Sequence, residues 1–215
     1  MSESRLERLA PLTGVVFVAL LVAGTLVINN YDFLPPGDEL KSFYESNSVR
    51  ARTGYYLILL SAVLLLWFVG SLRSRLRSAE GGTGRLSAVA FGGGVAATAG
   101  MLVGNAAGLA AAVRGGADGG ISVEAATALY DFTAVLMGNT VPMGYAVLLG
   151  ATAVVSFRTG VFAGWLNWVT AVVAIGLLIP EVNFVSAGAA VLWVAVVSVL
   201  LYTSSNRAPA GPNPT

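Results

Sequence analysis

LSAVAFGGGVAATAGMLVGNAAGLAAAV, residues 86–113, carries no charge over 28 positions. A helix needs about 20 apolar residues to cross the roughly 30 Å hydrocarbon core of a bilayer, and this stretch exceeds that. Within it Gly92, Ala96, Gly100, Gly104 and Gly108 recur at every fourth position. That spacing draws a side-chain-free line along one helix face and lets a second helix approach to backbone contact. The stretch therefore reads as a transmembrane helix built for close packing. Its partner is either another span of the same chain or a second copy, which would make it a homodimer seam.

Similar runs flank it on both sides, so spans are expected at 12–30, 54–72, 86–113, 134–157, 162–179 and 184–202. The runs are continuous rather than alternating, which excludes the strands of a membrane β-barrel. The expected fold is all-α: one polytopic transmembrane helix bundle of six spans over 1–203. Residues 204–215, rich in Pro, Asn and Ala, read as a disordered cytoplasmic tail. Arg5 and Arg8 precede the first run, but no small-x-small cleavage pattern follows it, so it reads as an uncleaved span.

With 56% hydrophobic and 11% charged residues, the chain leaves no stretch large enough for a separate soluble domain. A net charge of +1 argues against nucleic acid as a partner, because that role needs a concentrated basic field. Histidine and cysteine are both absent. Zinc and haem ligation, disulfides, thiol nucleophiles and imidazole acid–base chemistry therefore cannot be built, and neither a metal nor a cofactor is expected.

Orientation follows from the cations. If the N-terminus is inside, the inner segments hold Arg5, Arg8, Arg73, Arg75, Arg77, Arg85, Arg158 and Arg207, and the outer loops hold Lys41, Arg50, Arg52 and Arg114. The excess predicts both termini in the cytoplasm and a plasma-membrane location. Arg73, Arg75, Arg77 and Arg85 serve as topology anchors or as contacts for anionic lipid headgroups. Tyr31, Tyr55 and Tyr56 fall at the outer face and Trp67, Trp165, Trp168 and Tyr202 near the inner one, where amphipathic rings are favoured.

Around the fourth span the apolar pattern runs from Val123 to Phe157, about 50 Å as one helix, which is longer than the bilayer core. Pro142 lacks the amide that would bond the Gly138 carbonyl, so a kink or a break of the helix is expected around Gly138, Asn139 and Thr140, between Gly138 and Pro142. Counting about 20 residues from Arg158 places Tyr130 and Asp131 in the outer interface. Asn105, Asp131, Asn139, Glu181 and Asn183 then gather toward that side and outline a candidate polar vestibule; the plainer alternative is that they are ordinary interfacial residues.

In the first outer loop, Asp38 is placed as a helix N-cap, with Leu40, Phe43 and Tyr44 forming an apolar stripe. A short amphipathic outer helix is expected there, lying on the membrane or capping the bundle. A comparable helix before the fourth span would present Ala125, Leu129 and Phe132.

Phe43-Tyr44, Arg50, Gly54, Trp67-Phe68, Gly70-Ser71-Leu72-Arg73, Leu76-Arg77 and Gly164-Trp165-Leu166-Asn167-Trp168 together resemble an uncharacterised family of small six-span integral membrane proteins from actinobacteria. The resemblance covers the chain from the first loop to the fifth span. It implies six spans and an actinobacterial plasma membrane, and it carries no activity.

The leading functional expectation is a non-enzymatic accessory, scaffold or lipid-contacting component, with the lipid bilayer and a membrane protein or second copy as partners. The alternative is a small-molecule transporter or channel using the outer vestibule. Against transport stands the lack of any Asp, Glu, Lys or Arg near the bilayer midplane. An outer-face enzyme would have to pair Asp131 with Glu181. Tyr130-Asp131 matches only half of an intramembrane aspartyl protease pair, and the Gly-x-Gly-Asp half is missing.

Overall fold

The computed structural model describes residues 9–28 and 35–207, and among them every regular element is a helix. A 3₁₀ turn, Ala10–Leu12, leads into α1 (Thr13–Ile28). There follow α2 (Gly37–Ser46), α3 (Ser48–Glu80), α4 (Arg85–Gly115), α5 (Val123–Val135), a π-helical turn (Leu136–Thr140), α6 (Val141–Thr159), α7 (Gly164–Gly176) and α8 (Asn183–Arg207). The expectations placed on Arg5, Arg8, Tyr31 and residues 208–215 lie outside the described residues. Residues 204–207, expected in the tail, continue α8.

Five helices are long and apolar enough to cross a membrane: Ala10–Ile28, Ser48–Glu80, Arg85–Gly115, Val123–Thr159 and Asn183–Ser204. The run expected as a span at 162–179 forms only the 13-residue α7, about 20 Å long. Pro180 accounts for the shortening, since it has no amide with which to continue the helix. Leu177–Val182 instead closes through tight turns in which Leu178 N bonds Ile175 O and Ile179 N bonds Gly176 O.

Helix boundaries have local causes. Gly81, Gly82 and Gly84 adopt positive φ between α3 and α4, a region that suits glycine, and Gly160 does the same after α6. The Glu80 carboxylate reaches across the first of these turns. It accepts the Leu86 and Ser87 amides at 2.9 Å each, satisfying two of the orphan donors that open α4.

Packing centres on α4, which lies between α3 and α6. A Cβ at Gly93 would lie 2.5 Å from Leu148 N and 2.8 Å from Gly144 O. One at Gly144 would lie 2.5 Å from Ala97 N. On the opposite side Gly94 faces Val69, and at the α1–α3 crossing Gly24 and Gly54 meet through each other's carbonyl oxygens. In a bilayer there is little hydrophobic drive between helices, so such backbone approach is what close packing requires. The expected glycine line is displaced in its first half. Gly92 and Ala96 face outward, and Gly93 and Ala97 take the contact, whereas Gly100, Gly104 and Gly108 are buried. Three consecutive glycines, Gly92 to Gly94, leave the inward face undetermined by sequence alone.

Two buried apolar clusters result. The larger runs through the bundle and includes Phe17, Leu65, Phe68, Leu148, Trp193 and Val197. The smaller gathers Leu40 and Tyr44 of α2, Ala51 and Tyr55 of α3, Ala111 of α4 and Ala126 of α5. Thus α2 packs through Leu40 and Tyr44 against residues of longer helices; it starts at Gly37, so Asp38, expected as its N-cap, falls in its first turn. On α5 the buried side is Ala126 with Leu129 and Tyr130; Ala125 and Phe132 are exposed, against expectation. Tyr55 is buried too, not displayed at an interface. At the other end of the bundle Ser198 Oγ donates to Pro11 O, so the last turns of α8 lie beside the start of α1.

Candidate polar site at a π-helical turn

In an α-helix the Gly138 carbonyl would accept the amide of residue 142, and Pro142 has none. The chain responds by widening one turn, with the Val141 amide closing on Leu136 O. Val135 and Val141 keep right-handed helical backbone (φ −64°, ψ −44° and φ −63°, ψ −48°). At the place where a kink or a break was expected, the helix continues through a π turn. The Gly138 carbonyl accepts a hydrogen bond from Asn183 Nδ2 at 2.9 Å, delivered by the first residue of α8. A neighbouring helix has thus satisfied a group that lipid could not.

Two other contacts brace the same turn from α4. Asn105 is buried; its Nδ2 donates to Met101 O at 2.8 Å and lies 3.3 Å from Met137 Sδ. Thr133 Oγ1 lies 2.8 Å from Gly104 O and 2.9 Å from Leu129 O, sharing its proton between them. Asn139, within the turn, is exposed and donates to Val135 O at 3.2 Å. Asn139 therefore lies within the turn, and Asn105 of α4 and Asn183 of α8 contact it at Met137 and Gly138. Asp131 and Glu181 are exposed and bond to none of the three.

Elsewhere in the interior the polar side chains are engaged with one another or with helix carbonyls, except for Tyr145 of α6, whose hydroxyl is buried without a hydrogen-bond partner. Ser156 Oγ donates to Asn167 Oδ1 at 2.5 Å and accepts the Phe162 amide, joining α6 to α7. Trp193 Nε1 donates to Thr170 Oγ1 at 2.7 Å, joining α8 to α7. Ser61, Thr98 and Thr152 donate to carbonyls three or four residues back. Among the described residues no Asp, Glu, Lys or Arg is buried, and no three acids cluster as a metal site would require.

A second polar pair escaped sequence reasoning. The hydroxyls of Tyr44 and Tyr55 lie 3.2 Å apart inside the smaller cluster. Gly108 seats the Tyr55 ring, and Gly115 lies against the Tyr44 backbone. Burial, then the neighbouring Tyr55, pushes the Tyr44 phenol well above its ordinary value, so it stays neutral. A tyrosine beside glycines on a distant helix gives no local signal, and the Tyr55-Tyr56 doublet instead suggests an interfacial belt.

The arginines divide into two kinds. Arg50 donates to Ile28 O at 2.9 Å, at the end of α1, and Arg52 donates to Ala112 O at 3.3 Å near the end of α4. Both neutralise carbonyl ends of helices. Arg73 stacks over the Phe91 ring at 4.8 Å, and Arg75 lines a cavity beside it. The Arg77 stem packs by Gly84, and Arg85 opens α4, exposed. Comparison with known proteins finds no family model, no curated protein and no solved structure that matches this chain.

Proposed function

We propose that this is a six-span plasma-membrane protein with both termini cytoplasmic, acting as a non-enzymatic accessory, scaffold or lipid-contacting component. The observation that carries this reading is the state of the interior: its buried polar set contains no charged residue, and its serines, threonines and asparagines either join two helices, as Ser156–Asn167 and Trp193–Thr170 do, or bond a carbonyl of their own helix, as Thr98 and Thr152 do. A coupled transporter or an intramembrane enzyme ordinarily keeps an ionisable group at that depth. Support for six crossings comes from α7, which would be a short fifth span, and from the Ser198–Pro11 bond, which sets the start of α1 and the later turns of α8 at the same end of the bundle, as an even number of crossings requires. Orientation is supported by the engagement of Arg50 and Arg52 on carbonyl ends, which leaves the Arg73–Arg85 connector as the larger free positive charge. The resemblance to actinobacterial six-span proteins belongs to this same reading. Gly92 and Ala96, facing outward, are the positions on α4 for a membrane-protein partner or a second copy.

The test has two arms. Purified protein in liposomes should move no solute. A pull-down from native membrane, with proteins and lipids both identified, should recover a partner whose loss reproduces the loss of this chain. A second reading, transport, is favoured by the π turn, because such turns mark places where a helix can shift register. Flux that is abolished by Asn139→Ala or Asp131→Asn at unchanged expression would establish transport and overturn the accessory role.

A further inference from the structure

A large concavity of the described residues lies away from the π turn. It lies along α3, where Leu66, Gly70, Ser74 and Ser78 succeed one another at every fourth position and form one wall of a cavity of about 870 Å³. Phe91 of α4 and Leu201 of α8 contribute to the opposite side. The lining changes character along its length, roughly 18 Å from Leu66 to Ser78. Leu66, Trp67 and Gly70 make the deep end apolar, and a Cβ at Gly70 would meet nothing within 4 Å. Ser74, Arg75 and Ser78 make the other end polar and cationic. Trp67 is 64% exposed, which opens the apolar end sideways toward the surroundings of the bundle.

We infer that this groove binds one anionic phospholipid of the inner leaflet, its phosphate at Arg75 and an acyl chain along Leu66, Gly70 and Phe91. The inference rests on the orientation proposed above and names the lipid contact that reading left general. Charge supplies the argument for this occupant. Among the described residues the ion pair is Lys41–Glu45, and no carboxylate pairs with Arg75. Arg73 is held over Phe91, and the nearby Glu80 carboxylate is committed to the amides of α4. A planar guanidinium with free donors suits a phosphate. A soluble anion would leave the apolar end empty, whereas a phospholipid matches both ends and the sideways opening. The volume falls within the roughly 300–1,000 Å³ of ordinary ligand sites.

Trp67 provides a reporter in the full-length chain. The protein is reconstituted in phosphatidylcholine vesicles in which either phosphatidylglycerol or phosphatidylcholine carries brominated acyl chains at equal mole fraction. The Trp67 signal is isolated by difference from Trp67→Phe. Brominated phosphatidylglycerol should quench it with about fivefold local enrichment, the effect expected of one arginine near an anionic surface. Arg75→Gln should abolish the excess, and Gly70→Leu, which fills open space in the groove, should reduce it, while the exposed Trp67 stays open to quenching by surrounding lipid of either kind. Equal quenching by the two lipids, or an excess that survives Arg75→Gln in monodisperse protein, overturns the proposal. Labelling of Ser78→Cys by an impermeant maleimide separates the failures. If Ser78→Cys labels from inside while quenching is equal, the groove assignment alone is wrong; if it labels from outside, the orientation itself is wrong.

Discussion

A methyl group at Gly93 would press on the Leu148 amide and the Gly144 carbonyl, while one at Gly92 would meet nothing within 4 Å. Backbone cannot step aside as a flexible side chain can. Gly93→Ala and Gly144→Ala should therefore each destabilise the bundle by about 1–3 kcal/mol, the usual cost of overpacking. Gly92→Ala should be neutral or slightly stabilising, since alanine is the better helix former. Reversible unfolding in mixed micelles would measure the three. Equal losses at Gly92 and Gly93 would contradict the contact pattern. The Tyr44–Tyr55 pair makes a second case. Removing either hydroxyl leaves a buried partner with one bond fewer, so each Tyr→Phe variant should lose about 1–2 kcal/mol, and the double variant less than the sum. Because the raised Tyr44 pKa reflects destabilisation of the phenolate, its contribution is fully present below 10.0, the ordinary phenol value, and declines as pH rises above it. Tyr44→Phe should flatten that alkaline decline in a pH series of the same unfolding measurement.

The composite helix Val123–Thr159 shows how one proline propagates through an element. Its missing amide frees the Gly138 carbonyl, a π turn absorbs the mismatch, and Asn183 supplies the replacement donor from another helix. Asn183→Ala should weaken the α6–α8 contact, with a loss on the order of 1 kcal/mol. In a Pro142→Ala background, where residue 142 has its own amide, the same substitution should cost much less. A double-mutant cycle reads this coupling directly, and strict additivity would show that Asn183 does not serve the proline gap. The proline and its orphan carbonyl were legible in the sequence. The donor was not, because Asn183 lies 45 positions away, at the start of α8. Similarly Asn105, Asn139 and Asn183 were singled out as polar residues at one depth; their common role around one turn required the helix rotations.

On the scale of the molecule, six apolar runs were legible and five emerge as helices of spanning length, with Pro180 shortening the other. The proposed topology is open to a direct check, since the chain has no cysteine of its own. Single cysteines at Ser46 and Ser78 should label from opposite sides of intact cells, Ser46→Cys from outside and Ser78→Cys only after permeabilisation. Gly160→Cys should follow Ser78→Cys. Labelling of Ser46→Cys and Ser78→Cys from the same side would refute the reading of α3 as a crossing helix. An all-helical chain with helices of membrane-spanning length followed from the residues alone, because the length and hydropathy of a run are local sums that no neighbour alters. The residues also determined where helices yield, at Gly81–Gly84, Pro142, Gly160 and Pro180, because backbone geometry is local too. Which of three adjacent glycines faces inward, which asparagine answers the Pro142 gap, and where a cavity opens along α3 came from the packing of the helices. Each of those depends on the rotation of one helix against another, and in a chain whose helices are apolar on every side, rotation is set by contact rather than by pattern.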